Sequence, residues 1–256
     1  PISVDVITCR QVDSYPPGKN DQQFNAAKLP TLPELMAGSG IATLYLLTYN
    51  SIQAFGWAIA LFRILSNFSA TGSVAGAYAS AGDLICLLQS IAFLEVVHGA
   101  LGLVPSGVLY PFMQWGGRTH FVLAIVRKIV EVQELPAVFI TFTAWSIAES
   151  IRYSHYALNC IGRCPSWIVY LRYTAFIVLY PIGLFPGEIW LMYQALPFVK
   201  KTNLYANFFA HLPFSYYNFL WAVLLSYPFL WFNLYLHMLK QRRSKLGKQN
   251  IKKKRN

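Results

Sequence analysis

Charge is scarce in this chain. Only 12% of its 256 residues are Asp, Glu, Lys or Arg, about half of the ~25% that solvates an ordinary globular domain. Acids are scarcest, 10 against 21 basic residues. Histidine is sparse and scattered: positions 98, 120, 155, 211 and 237 are never closer than 22 residues. That spacing excludes the His clusters with which membrane desaturases and hydroxylases hold iron. Cysteine occurs only at Cys9, Cys86, Cys160 and Cys164, too few for a disulfide framework or, without nearby His partners, for zinc. No internal repeat is visible, which weakens a small transporter built from paired halves. No charged-then-apolar signal peptide opens the sequence, and a chain starting at Pro1 rather than Met is expected to lack its true start.

Apolar side chains are abundant instead: 55% hydrophobic and 16% aromatic. Several runs reach the ~20 residues that a hydrocarbon core demands. The pattern predicts an all-α, polytopic membrane bundle of about six helices, over roughly 41–62, 84–104, 108–126, 136–158, 167–195 and 208–238. The third is the weakest, because Gly116, Gly117, Arg118 and His120 interrupt it. The small, polar stretch 66–83 is expected to be a loop. Residues 1–40, broken by Pro16, Pro17, Pro30 and Pro33, read as a polar, disordered extension. The membrane domain then occupies 41–239 and a basic tail 240–256.

The charge is lopsided. Lys240 to Arg255 holds nine basic residues and no acid, while the other 12 basic residues nearly balance the acids. A tail beside a span is better explained by orientation and anionic lipid than by nucleic acid. An even number of spans then places both termini in the cytosol, with the turn at 105–118 and that at 159–166. Lys253 and Lys254, third and fourth from the end, fit a retrieval signal for the endoplasmic reticulum.

Charges at membrane depth cost ~2.5–3.5 kcal/mol each on insertion scales, so each needs a partner or a function. They are Glu95 and His98, Glu149 and Arg152, and Arg172 and Glu188. Glu149 and Arg152, three apart on one helical face, are expected to pair. Glu95-Val-Val-His98 has the Glu-x-x-His spacing of di-metal bundles, but no second copy exists. The fifth run is broken by Pro181, Gly183, Pro186 and Gly187. Irregular backbone at this depth survives where protein buries it or a cavity adjoins it. Tyr180 and Glu188 flank the break.

Six strings match one family in order: Tyr49-Asn50, Leu94 to Gly99, Trp145 to Tyr153, Leu171 to Thr174, Leu179-Tyr180-Pro181 with Gly183, and His237-Met238 with Gln241-Arg242-Arg243. Over residues 41–245 the chain resembles the very-long-chain 3-hydroxyacyl-CoA dehydratases, once called protein-tyrosine-phosphatase-like, and most of all a plant member. The resemblance implies a six-span enzyme of the endoplasmic reticulum that removes water from 3-hydroxyacyl-CoA to give the trans-2-enoyl-CoA of fatty-acid elongation. It implies Tyr180 and Glu188 as the catalytic pair and no metal or organic cofactor, since dehydration transfers no electrons. Arg152 and Arg172, near the cytosolic mouth, are placed to meet CoA phosphates, or Arg152 to pair with Glu149. The implied partners are the ketoacyl-CoA synthase, ketoacyl-CoA reductase and enoyl-CoA reductase of the elongase, with membrane lipid around them.

Two departures stand out. A cysteine phosphatase needs His-Cys-x5-Arg, and the matching positions here are His98, Gly99 and Pro105. Phosphatase chemistry is rejected. The family also sets its Glu seven residues after the Tyr, whereas here the gap is eight. On an unbroken α-helix seven residues leave two side chains about 20° apart and eight about 80°. The rival reading is therefore a catalytically silent relative that scaffolds the elongase.

Overall fold

The computed structural model describes residues 40–255; the expectation for the N-terminal extension lies outside them. Every element among the described residues is helical. α1 runs Gly40–Thr71, α2 Ala77–Ile91, α3 Leu94–Ala100 and α4 Leu109–Thr119, passing into a π-helix, His120–Val126. After a 3₁₀ turn come α5, Pro136–Cys160, α6, Ser166–Arg172, and α7, Phe176–Ile182. A second π-helix, Gly183–Ile189, joins α7 to α8, Trp190–Thr202. The turn α9, Ala206–Phe209, precedes α10, Tyr216–Arg255.

α5 is the central element. Pro136 starts it at a position where the missing N–H costs nothing, and nearly every face is then covered, from Ala137 and Val138 through Trp145 to Tyr156. α1 packs along it, with Trp57, Ile64, Ile85, Phe121 and Phe142 in the shared core. Outward the polarity inverts: Phe55 and Phe62 are 71% exposed, and Phe208 and Phe229 are 74% exposed. Exposed apolar surface on that scale marks a membrane-facing exterior.

Three stretches are long and apolar enough to cross a membrane: Ala77–Ala100, Ser166–Thr202 and Tyr216–Ser244. α1 and α5 fall outside this group despite their 32 and 25 residues. They bury the polar groups of the bundle, which dilutes their hydropathy. In α1, Gln53 donates to the Leu88 carbonyl at 3.2 Å and accepts from the Trp57 indole at 3.1 Å.

Two boundaries differ from expectation. The loop expected at 66–83 shrinks to residues 72–76: α2 begins at Ala77 and α1 continues to Thr71, whose hydroxyl bonds back to the Asn67 carbonyl at 2.8 Å. Such back-bonding lets a polar run stay helical. The last helix starts at Tyr216 rather than 208, because Pro213 cannot donate and Ser215 Oγ accepts the Asn218 N–H at 3.3 Å, as a helix cap does.

Candidate active site

The string from Trp145 to Tyr153 places Trp145, Glu149, Arg152 and Tyr153 one to two turns apart along one side of α5. All four are buried. Arg152 takes Glu95 of α3 in a two-pronged grip, both contacts at 2.9 Å, and gives its Nε to Glu149 at 2.5 Å. Tyr153 OH also donates to Glu95. From the end of α4, Arg118 pairs with the other oxygen of Glu149. Two carboxylates and two guanidiniums thus neutralise each other inside the bundle. The expected Glu149–Arg152 pair is formed, and both partners engage a second charge.

The network reaches the chain break through Trp145. The guanidinium of Arg118 lies 4.7 Å over the Trp145 ring, and the indole N–H donates to Glu188 Oε1 at 2.8 Å. The other carboxyl oxygen of Glu188 accepts from Tyr227 OH of α10 at 2.6 Å. Glu188 therefore sits buried on two neutral donors, within Coulombic reach of Arg118.

Close backbone approach makes this reach feasible. A Cβ on Gly187 would stand 2.4 Å from Thr141 Oγ1, and one on Gly183 would stand 3.4 Å from the Ala144 methyl. The two glycines, four apart, let the broken segment lie against α5, as small residues do between membrane helices.

Tyr180 closes the group from α7. Its ring stacks with Trp231 at 6.4 Å and Tyr235 at 6.5 Å between centroids, and it lies within Coulombic reach of Glu188 and Arg118. Its hydroxyl makes no hydrogen bond among the described residues. The interval between Tyr180 and Glu188 holds the π-helix. A π turn bonds i to i+5 and takes one residue more than an α turn. The eighth residue is absorbed there, so the angular offset computed for an unbroken α-helix does not arise.

Other candidates lie apart. Arg172 of α6 donates to Tyr156 OH at 3.1 Å and is half-buried. His98 bonds Tyr45 OH at 2.8 Å and packs edge-on against Tyr49, while Glu95 is taken by Arg152 and Tyr153. His155, not foreseen beside a cysteine, meets Cys164 Sγ at 3.3 Å and Asn159 at 3.0 Å. No group of three potential metal ligands occurs among the described residues. A cavity of about 10 Å³ adjoins Gln89, Trp115, Arg118, Glu149 and Arg152, on the scale of a single water. A concavity of about 470 Å³ beside Lys200, Asn203 and Tyr217 holds none of the site residues.

Residues 89–248 match the model of the family described as protein tyrosine phosphatase-like protein, PTPLA. This chain belongs to the PTPLA family. Very-long-chain (3R)-3-hydroxyacyl-CoA dehydratase 2 of Homo sapiens is 37% identical over 214 residues, 81% of this chain and 82% of its own length. Dehydratase 1 of Mus musculus is 34% identical over 220 residues, 84% of this chain and 77% of its own length. The rice dehydratase PASTICCINO 2B is 38% identical over 169 residues, 66% of this chain and 76% of its own length. No solved structure matches the chain.

The phosphatase-like label of the PTPLA family finds no chemistry in this member. Gly99 stands where a nucleophilic cysteine would be needed, and a Cβ there would come within 2.1 Å of the Gly107 carbonyl oxygen. The backbone itself leaves no room for a thiol.

Three residues of the site escaped the sequence reading. The sequence puts Arg118 at the end of a cytosolic turn, but only 16% of its side chain is accessible and it pairs with Glu149. Trp145 carried a signal, one helical turn before Glu149. Tyr227 carried none, since nothing local ties it to a glutamate 39 residues earlier.

Proposed function

We infer that this PTPLA member is a very-long-chain 3-hydroxyacyl-CoA dehydratase of fatty-acid elongation, a carbon–oxygen lyase. The observation that carries it is a buried carboxylate, Glu188, within Coulombic reach of the phenol Tyr180, in a family whose curated relatives are named for that activity. Eliminating water needs a base for the proton beside the thioester carbonyl and an acid for the departing hydroxyl. Tyr180 and Glu188 are the proposed pair.

The proposal extends to the surroundings. The chain crosses the membrane of the endoplasmic reticulum six times with both termini cytosolic; α1, α5 and the α4 segment add to the three apolar stretches. The acyl chain lies among the spans and lipid, and CoA sits at the cytosolic mouth. Arg172 is the phosphate ligand we favour, because its one hydrogen bond among the described residues is to a neutral phenol. Arg152 is committed to Glu95 and Glu149 and serves the site from within. The ketoacyl-CoA synthase and the two reductases of the elongase are the proposed partners.

Purified protein assayed for enoyl product separates this reading from the scaffold. Dehydratase function predicts an active parent, and deleting Phe185 to restore a seven-residue gap should leave activity equal or lower, since the π turn already accommodates the extra residue. An inactive parent awakened by the deletion would establish the scaffold reading.

A further inference from the structure

The active pair was inferred from the family motif, yet the hydroxyl bonded to Glu188 belongs to Tyr227, a residue outside it. Tyr227 lies on α10, Trp145 on α5 and Glu188 on the π-helix, so three separate segments meet on one carboxylate. Each oxygen of Glu188 accepts one bond, at 2.8 and 2.6 Å. Hydrogen bonds donated to a carboxyl group favour its charged, proton-accepting form. Both donors, Trp145 and Tyr227, therefore hold Glu188 as an acceptor.

We propose that Tyr227 and Trp145 are positioning residues that clamp Glu188 as the general base, leaving Tyr180 as the acid. The inference rests on the dehydratase reading and assigns the roles within it. Glu188 takes the proton from C2, the C2–C3 double bond forms, and the C3–O bond breaks. The hydroxyl leaves as water with the Tyr180 proton. The site resets when the proton on Glu188 returns to the Tyr180 phenolate, so no co-reactant is consumed.

The geometry supports the division. The Tyr180 ring is stacked on Trp231 and Tyr235 of the same α10 face that carries Tyr227, at steps of four residues. α10 therefore holds the carboxylate with one side chain and orients the phenol with the next two. Arg118 adds positive charge over the Trp145 ring. A carboxylate freed from one donor would swing among rotamers, and misplacing a base by about 1 Å costs on the order of 100-fold.

The test uses the full-length protein in detergent and a (3R)-3-hydroxyacyl-CoA with hydrogen or deuterium at C2. Tyr227→Phe and Trp145→Phe keep the rings and remove one donor each. Each should lower kcat about 10- to 100-fold with KM within about twofold. The deuterium isotope effect on kcat should rise, because proton removal becomes more rate-limiting. A merely structural loss would shrink the active fraction and leave that isotope effect where it was. An unchanged isotope effect in both variants, or full activity in Tyr227→Phe, would overturn the clamp while the dehydratase reading stands. A parent that makes no enoyl product would overturn both.

Discussion

Tyr180→Phe and Glu188→Gln are each expected to lower dehydration by 10²- to 10⁴-fold, the range for losing a general acid or base. Both substitutions nearly conserve volume, so the bundle should hold. Tyr180→Phe keeps the stack on Trp231 and Tyr235, and Glu188→Gln keeps an oxygen that can accept from Trp145 or Tyr227. Turnover measured beside a thermal melt separates chemistry from folding. Equal activity in Glu188→Gln and parent would displace the site, and Glu95 and Glu149 would be the next carboxylates to consider. Their commitment to arginines makes them poor substitutes, since neither side chain is free to turn to a substrate.

The largest stability effect is expected at Arg152. Among the described residues, Arg152→Met leaves Glu95 with only the Tyr153 hydroxyl and Glu149 with only Arg118. Removing one partner from a buried pair costs about 3–5 kcal/mol, mostly because the stranded charge stays desolvated. Arg152→Lys should recover little of it, because an ammonium cannot reproduce the two-pronged grip on Glu95 together with the Nε bond to Glu149. Glu95→Gln placed on top of Arg152→Met should restore part of the loss by removing the stranded charge. The midpoint of thermal unfolding in detergent reads all three. A midpoint for Arg152→Met equal to the parent's would mean that water reaches these groups.

The sequence displayed some of this directly and some of it not at all. Spacing alone pairs Glu149 with Arg152, because three residues on a helix fix the geometry. Arg118 could not be paired that way: it lies 31 residues from Glu149, and only the docking of α4 on the bundle joins them. The proline- and glycine-rich break marked the fifth run as special. Its resolution into a π turn was illegible, since a π turn depends on how α5 and α10 seat the segment. The same holds for Tyr227. The helices α1 and α5 show the converse, for their long periodic runs announce helices while their buried polar groups mute the signal for spanning.

The most direct measurement is mass-spectrometric detection of trans-2-enoyl-CoA when the purified full-length protein is given a long-chain (3R)-3-hydroxyacyl-CoA and no other enzyme. The account predicts enoyl product accumulating in proportion to protein, with Glu188→Gln reducing it to background. No product from a folded parent, or the same yield from Glu188→Gln, would contradict it.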